Sequence, residues 1–177
     1  MTTEHLKSLI RTIPDFPREG IRFRDVSTLM VDPDGFTEAV ERMASIAPQD
    51  IDLVAGIEAR GFLFAGAVAT KLSAGVLMVR KGGKLPGDVH GRDYALKYGD
   101  DRLEVQVGNV PRGARILLVD DLIATGGTAL AACKLMEDAG AEVAGAVFLI
   151  DLPDLGGAQR LRDSGLDTHA LISFEGE

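Results

Sequence analysis

Arg115-Ile-Leu-Leu-Val-Asp-Asp-Leu-Ile-Ala-Thr-Gly-Gly-Thr128 is the stretch that decides the architecture. Ile116 to Val119 is an unbroken apolar run, the pattern of a strand covered on both faces of a parallel sheet. Asp120 and Asp121 follow it, and the turn from Ala124 to Thr128 leads into a helix expected over about 127–139. In that helix Ala129, Ala132, Cys133, Met136 and Ala139 form one apolar stripe. Lys134, Glu137 and Asp138 form the opposite, solvated face. Gly140 stands where a left-handed residue ends a helix. Cys133 falls within the stripe and reads as a packing residue.

Working outward, the same unit recurs. Leu53 to Gly56 and Val76 to Val79 read as short apolar strands with an apolar helix, Phe62 to Leu72, between them. Val143 to Leu152 reads as a further strand. Toward the N-terminus a helix is expected over about 33–47, capped by Asp32. A shorter one is expected from about Glu4 to Arg11, stopped by Pro14 and Pro17. The stretch from Phe16 to Asp25 reads as irregular. Buried strands alternating with helices predict a single α/β domain, with a central parallel sheet flanked by helices. Between Arg80 and Arg102 the apolar periodicity disappears, so this segment is expected to be irregular and either functional or mobile.

Composition removes several classes of function. The 177 residues carry a net charge of −8, against the broad basic field that a nucleic-acid surface needs. Hydrophobic residues make up 46% and charged residues 26%, an ordinary globular mixture. No apolar run reaches the roughly 18 residues needed to span a bilayer. The start, Met1-Thr-Thr-Glu-His5, has neither the basic stretch nor the apolar core of a secretory signal. One cysteine cannot form an intrachain disulfide, and a reducing cytoplasm is the simple expectation.

The chemistry concentrates beyond the decisive strand. In open α/β sheets, ligands gather outside the carboxyl ends of the strands. Gly126 and Gly127 let a ligand approach the backbone, Thr125 and Thr128 add hydroxyl donors, and free amides at a helix start favour an anion such as phosphate. No Gly-Lys-Ser/Thr follows, so this is not a nucleotide-hydrolysing phosphate loop. Two carboxylates beside a phosphate would repel it unless they serve another part of the same ligand. Ionised carboxylates accept hydrogen bonds from hydroxyls or bind magnesium. A phosphate at one end and a vicinal diol a few ångströms away describe a ribose 5-phosphate. The plainer alternative makes Asp121 a helix cap and Asp120 a surface charge.

The segment Val119-Asp-Asp-Leu-Ile-Ala-Thr-Gly-Gly-Thr-Ala129 resembles the phosphoribosyl pyrophosphate (PRPP) signature of type I phosphoribosyltransferases. Gly56-Ile-Glu-Ala-Arg-Gly-Phe62, Arg80-Lys-Gly-Gly-Lys-Leu-Pro-Gly87 and Tyr94-Ala-Leu-Lys-Tyr-Gly99 narrow the resemblance to adenine phosphoribosyltransferases. Phe16-Pro-Arg-Glu-Gly-Ile-Arg-Phe-Arg-Asp-Val-Ser27 is similar to that family's purine-binding segment, and Asp154-Leu-Gly-Gly-Ala-Gln-Arg-Leu161 to its bacterial members. The match covers nearly the whole chain in the expected order. It implies a Rossmann-like type I phosphoribosyltransferase fold, with an N-terminal hood over about 1–30 and a mobile lid loop over about 81–101. It also implies transfer of ribose 5-phosphate from PRPP to adenine, giving AMP and pyrophosphate in purine salvage. Rivals are a phosphoribosyltransferase for a 6-oxopurine and a non-catalytic PRPP-sensing regulator.

The same resemblance distributes roles. Glu58, Ala59 and Arg60 would form the pyrophosphate loop, in which a non-proline cis peptide is allowed for. Lys81 and Lys84 would contact PRPP phosphates, and Tyr98 would help seal the site. Asp120 and Asp121 would hold the ribose hydroxyls, and Ala124, Thr125, Gly126, Gly127 and Thr128 the 5′-phosphate. Arg60, Lys84, Tyr98, Asp120 and Asp121 are the catalytic candidates. For adenine the candidates are Phe23 and Arg24, through their backbone, with Leu152 as an apolar wall. Magnesium would arrive carried by PRPP, with no direct protein ligand. A homodimer is implied, with the Arg60 region near its interface. One departure stands out: many family members have Glu immediately before the lid tyrosine, where this chain has Lys97. Of the histidines, His5 and His169 are expected at the surface, and His90 in the lid is expected to be a bystander.

Overall fold

A seven-stranded sheet forms the centre of the computed structural model, which describes residues 1–96 and 99–176. The chain begins with helix α1 (Thr3–Ser8), then a two-stranded hairpin of β1 (Arg11–Pro14) and β2 (Arg22–Asp25). Short helix α2 (Ser27–Met30) and α3 (Pro33–Ser45) lead into β3 (Leu53–Ile57), α4 (Arg60–Leu72) and β4 (Gly75–Lys81). Next come β5 (Val89–Leu96), β6 (Gly99–Gln106), β7 (Arg115–Ile123), α5 (Gly127–Asp138) and β8 (Glu142–Asp151). A 3₁₀ turn (Pro153–Leu155), α6 (Gly157–Asp163) and β9 (Thr168–Ser173) complete it. The strand order is β5-β6-β4-β3-β7-β8-β9, with β4, β3, β7, β8 and β9 parallel.

Local chemistry accounts for the elements. Asp32 caps α3, its carboxylate accepting from the Gly35 amide at 2.6 Å, and Pro33 occupies the first turn, where its missing N–H costs nothing. Helix α4 buries Phe64, Ala65, Val68 and Ala69, and α5 buries its small stripe of Ala129, Ala132, Cys133 and Met136. Each helix covers one face of the sheet. Ala55, Ile57, Leu77, Ile116 and Leu118 pack with α5. Val54, Leu117, Val119 and Val147 pack with α3 and α4. Burial pushes the Cys133 thiol up to about 12, as suits a packing residue.

Three sequence expectations need correcting. The strand does not end at Val119: β8 extends to Asp151 and keeps pairing as far as Ile123, so Asp120 and Asp121 are strand residues. Much of the stretch from Arg80 to Arg102 is regular, because β5 and β6 form an antiparallel hairpin running from Val89 opposite Gln106 to Leu96 opposite Gly99. Leu103 and Val105 are buried there, but the charged Glu104 between them is buried too, so no apolar alternation marks the hairpin in the sequence. Residues 22–25 are likewise a strand, paired with β1. Among the described residues no helix is long and apolar enough to cross a membrane.

This topology positions the site. From β3 the chain steps outward to β4, and it later returns to β7 on the other side of β3. The loops after β3 and β7 therefore leave the sheet in opposite senses, and the crevice between them is the usual ligand position in open α/β sheets.

Candidate active site

The crevice is a cleft of ≈ 520 Å³ at the carboxyl ends of β3 and β7. It gathers Glu58, Ala59 and Arg60 from the loop after β3 and Lys81 from the end of β4. From β7 and the following turn come Asp120, Asp121, Ala124, Thr125, Gly126, Gly127 and Thr128. Lys84 does not line it but reaches its wall, with Nζ 2.9 Å from Oε1 of Glu58. Tyr98 and Lys97 lie outside the described residues. Leu152 is buried in the core beside α3 and α4, and its amide donates to the Ile123 carbonyl at 3.1 Å.

The turn after β7 is shaped for an anion. Gly126 takes φ +77, a left-handed conformation that opens α5 without a side-chain cap, so the first amides of α5 are left for another acceptor. Across the crevice the Glu58–Ala59 peptide is cis, as the resemblance allowed. Gly61, the second residue of α4, permits a close approach to the acids. A Cβ there would lie 2.6 Å from Oδ1 of Asp120.

The two acids differ in their surroundings. Burial first, and then the Asp121 charge, push the Asp120 carboxyl well above its ordinary 3.8, although it accepts from the Asp121 amide at 2.9 Å. Asp121 has Nε of Arg60 at 2.5 Å from its buried Oδ2. That contact is an ion pair, and among the described residues Oδ2 has no hydrogen-bond donor. A buried acceptor of this kind suits a hydroxyl.

The other cations of the cleft are also matched to acids. Glu58 takes Nε of Arg80 at 2.8 Å as well as Lys84. Burial works to raise its carboxyl, but the hydrogen bonds from Lys84 and Arg80 outweigh it and hold the group below its ordinary value. Lys81 lies 2.7 Å from Asp101, and this hydrogen bond raises the lysine and lowers the acid. Lys81 and Lys84 are thus each already paired with an acid, so an anion that used either lysine would have to displace Asp101 or Glu58.

Sequence reasoning missed Tyr94 and Asp101, both of which line the cleft. They face each other across the β5–β6 hairpin, where the Tyr94 hydroxyl lies 3.1 Å from Asp101 and 3.4 Å from the Thr128 hydroxyl. Tyr94 shares one strand face with His90 and Arg92, but no apolar–polar alternation marks that face in the sequence. Arg92, on that face, pairs with Asp138 of α5 at 2.5 Å and ties the hairpin to the helix.

The N-terminal segment meets this site from outside. Half-buried Phe23 packs edge-on against Phe16, with ring centroids 5.1 Å apart, and the Arg60 guanidinium lies 5.3 Å from the centre of its ring. The side chain of Arg24 turns elsewhere, donating to the Thr12 hydroxyl at 2.7 Å and covering the Phe174 ring at 4.2 Å. Among the described residues β2 pairs only with β1, so alternate backbone groups of Arg22 to Asp25 face away from the hairpin.

Comparison with known proteins agrees with this geometry. A family model described as a phosphoribosyl transferase domain matches residues 33–173. The adenine phosphoribosyltransferase of Erythrobacter litoralis is 53% identical over 177 residues, 99% of each chain. The crystal structure of adenine phosphoribosyltransferase from Thermoanaerobacter pseudethanolicus has a TM-score of 0.92 at 42% identity, covering 98% of this chain and 100% of that one. The enzyme from Saccharomyces cerevisiae, complexed with an imino-altritol bisphosphate and adenine, has a TM-score of 0.88 at 34% identity, covering 96% and 98%. With the switch-point cleft, the glycine turn and the paired acids of β7, these similarities place the chain in the adenine phosphoribosyltransferase family of type I phosphoribosyltransferases.

Proposed function

We propose that this protein transfers ribose 5-phosphate from PRPP to adenine, releasing pyrophosphate and AMP, as a purine-salvage enzyme. The observation that carries the reading is the buried Oδ2 of Asp121, an acceptor without a hydrogen-bond donor, next to a turn of free amides. The 5′-phosphate occupies the turn from Ala124 to Thr128, and the ribose hydroxyls donate to Asp120 and Asp121. Pyrophosphate leaves across the loop of Glu58, Ala59 and Arg60 while a purine nitrogen attacks the anomeric carbon. Cations held around the leaving group stabilise the charge that develops there, and Arg60, Lys81 and Lys84 are the residues in reach.

Magnesium enters with PRPP and neutralises part of its charge. The Asp121 oxygen fits a sugar hydroxyl or a metal-bound water equally well, and no direct protein ligand is assigned. Adenine lies under the hood of about residues 1–30, near the ring of Phe23, with the edge of β2 away from β1 reading its polar groups and Leu152 as a wall. The segment of about 81–101, which takes in β5 and the start of β6, acts as a lid that excludes water from the reacting bond. The protein works as a homodimer. Leu63, Val76 and Met78 support this: they are 53%, 49% and 45% exposed on the α4 side of the sheet, an apolar face that a second copy would cover. A single buried thiol suits the reducing cytoplasm.

The decisive experiment is a steady-state assay with PRPP, magnesium and each purine base. Turnover with adenine and not with hypoxanthine, guanine or xanthine is expected. Turnover with guanine alone would assign the chain to 6-oxopurines, and none with any base would favour a PRPP sensor.

A pH dependence follows from the raised carboxyl of Asp120. Its contribution to fold stability is present below the ordinary 3.8 and is lost as pH rises through the elevated folded value. Ribose hydroxyls prefer the ionised acid, so ligand binding runs the other way. Affinity for ribose 5-phosphate should rise with pH above the ordinary carboxylate range, and binding should release a proton. The ligand's phosphate ionises at about pH 6 and gives the same sign. Calorimetry in two buffers of different ionisation enthalpy is therefore compared between the wild type and Asp120→Asn, and the same proton release in both would contradict the assignment.

A further inference from the structure

Helix α6 has no part in the roles assigned above, yet it presses on the phosphate turn through its first residue. The Gly157 amide donates to the Ala124 carbonyl at 2.9 Å. A Cβ on Gly157 would lie 2.2 Å from that oxygen and 2.7 Å from the Gly126 nitrogen. The contact is mutual, since a Cβ on Gly126 would lie 2.8 Å from the Gly157 carbonyl. Two backbones therefore meet with no room for a side chain on either. The far side of α6 is anchored in the core by Ala158 and Leu161, 2% and 0% exposed, so the helix cannot easily retreat. The preceding turn is tied to the same place, with the Leu152 amide donating to Ile123.

We propose that Gly157 is a positioning residue for PRPP: α6 acts as a fixed wall that sets the shape of the turn from Ala124 to Gly127, and so the direction of the amides that hold the 5′-phosphate. This rests on the reading of that turn as the phosphate seat. The reasoning is steric. In Gly157→Ala the Ala124 carbonyl must give way by about 0.8 Å, from 2.2 to the 3.0 Å below which Cβ contacts are essentially never found. Ala124 and Gly126 belong to the turn itself, whereas Leu161 locks the helix, so the turn is the partner that moves. A shift near 1 Å in a group that orients substrate is enough to cost one to two powers of ten.

The test compares Gly157→Ala with Gly156→Ala. Gly156 has φ +70, so alanine is strained there, but nothing lies within 4 Å of its Cβ position. Both variants should lose thermal stability. Gly157→Ala alone should raise KM for PRPP by about tenfold or more and leave KM for adenine within about twofold. A folded Gly157→Ala with the wild-type KM for PRPP would overturn the proposal, as would an equal rise for both substrates or the same rise in Gly156→Ala. If Gly157→Ala does not fold, Leu161→Val decides, because it loosens the anchor without adding an atom at the turn. It should raise KM for PRPP severalfold with adenine unchanged, and an unchanged PRPP value would refute the idea. Calorimetric binding of ribose 5-phosphate to the same proteins separates the two claims. Wild-type protein that binds it but turns over no base refutes the assigned reaction, while loss of binding in Gly157→Ala still supports the positioning role.

Discussion

Asp121→Asn is expected to lower kcat/KM for adenine and PRPP by about a thousandfold, or about 4 kcal/mol of transition-state stabilisation. Asparagine matches aspartate in size, so the 6% exposed site keeps its packing. It loses the charge that accepts from the ribose and that faces Arg60 at 2.5 Å. The positive charge that builds on the sugar as pyrophosphate departs then has one fewer carboxylate beside it. The fold should not suffer: Asp120 and Asp121 repel each other, and removing one charge relieves the burden that raises Asp120. Unchanged or slightly higher thermal stability together with the lost rate is the expected pattern. A variant with the wild-type rate would show that Asp121 does not hold the sugar.

Arg60→Ala should lower kcat/KM about a hundredfold, chiefly in kcat and in the PRPP term. The side chain is 44% exposed, so its removal leaves the core intact. Its guanidinium contacts Asp121 on one side and the Phe23 ring on the other. Arg60→Lys keeps a charge without the planar fork and should recover only part of the rate. The double variant Asp121→Asn/Arg60→Ala should cost less than the sum of the two, since the residues act on each other. Full additivity would mean that the ion pair has no bearing on the reaction. A wild-type rate in Arg60→Ala would move the leaving-group role to Lys81 and Lys84.

The lysines show why some of the site could be named from sequence and some could not. Lys81 and Lys84 were named through the resemblance of the segment Arg80 to Gly87. Their acids, Asp101 and Glu58, lie 20 and 26 positions away and carry no local mark of pairing. Asp120, Asp121 and the glycine turn were legible because strand, acids, turn and helix are contiguous. The hairpin of β5 and β6 was not, since its buried run of Leu103, Glu104 and Val105 includes a charged residue and the rest of it is largely polar and exposed. Tyr94 was hidden for the same reason.

Period and punctuation along the chain were enough to determine the alternation of buried strands and helices, the cap at Asp32, the stripe containing Cys133 and the glycine turn at Thr125 to Thr128. Each depends on neighbours within about one helical turn or one strand, which the sequence lists side by side. Tertiary structure alone decided that Phe23 meets Arg60, that Tyr94 meets Thr128 and that Gly157 closes on Ala124. These contacts join residues from separate elements, and their distances follow from the order of strands in the sheet. Hydrophobic periodicity says which face of an element is buried, and is silent on which element will bury it.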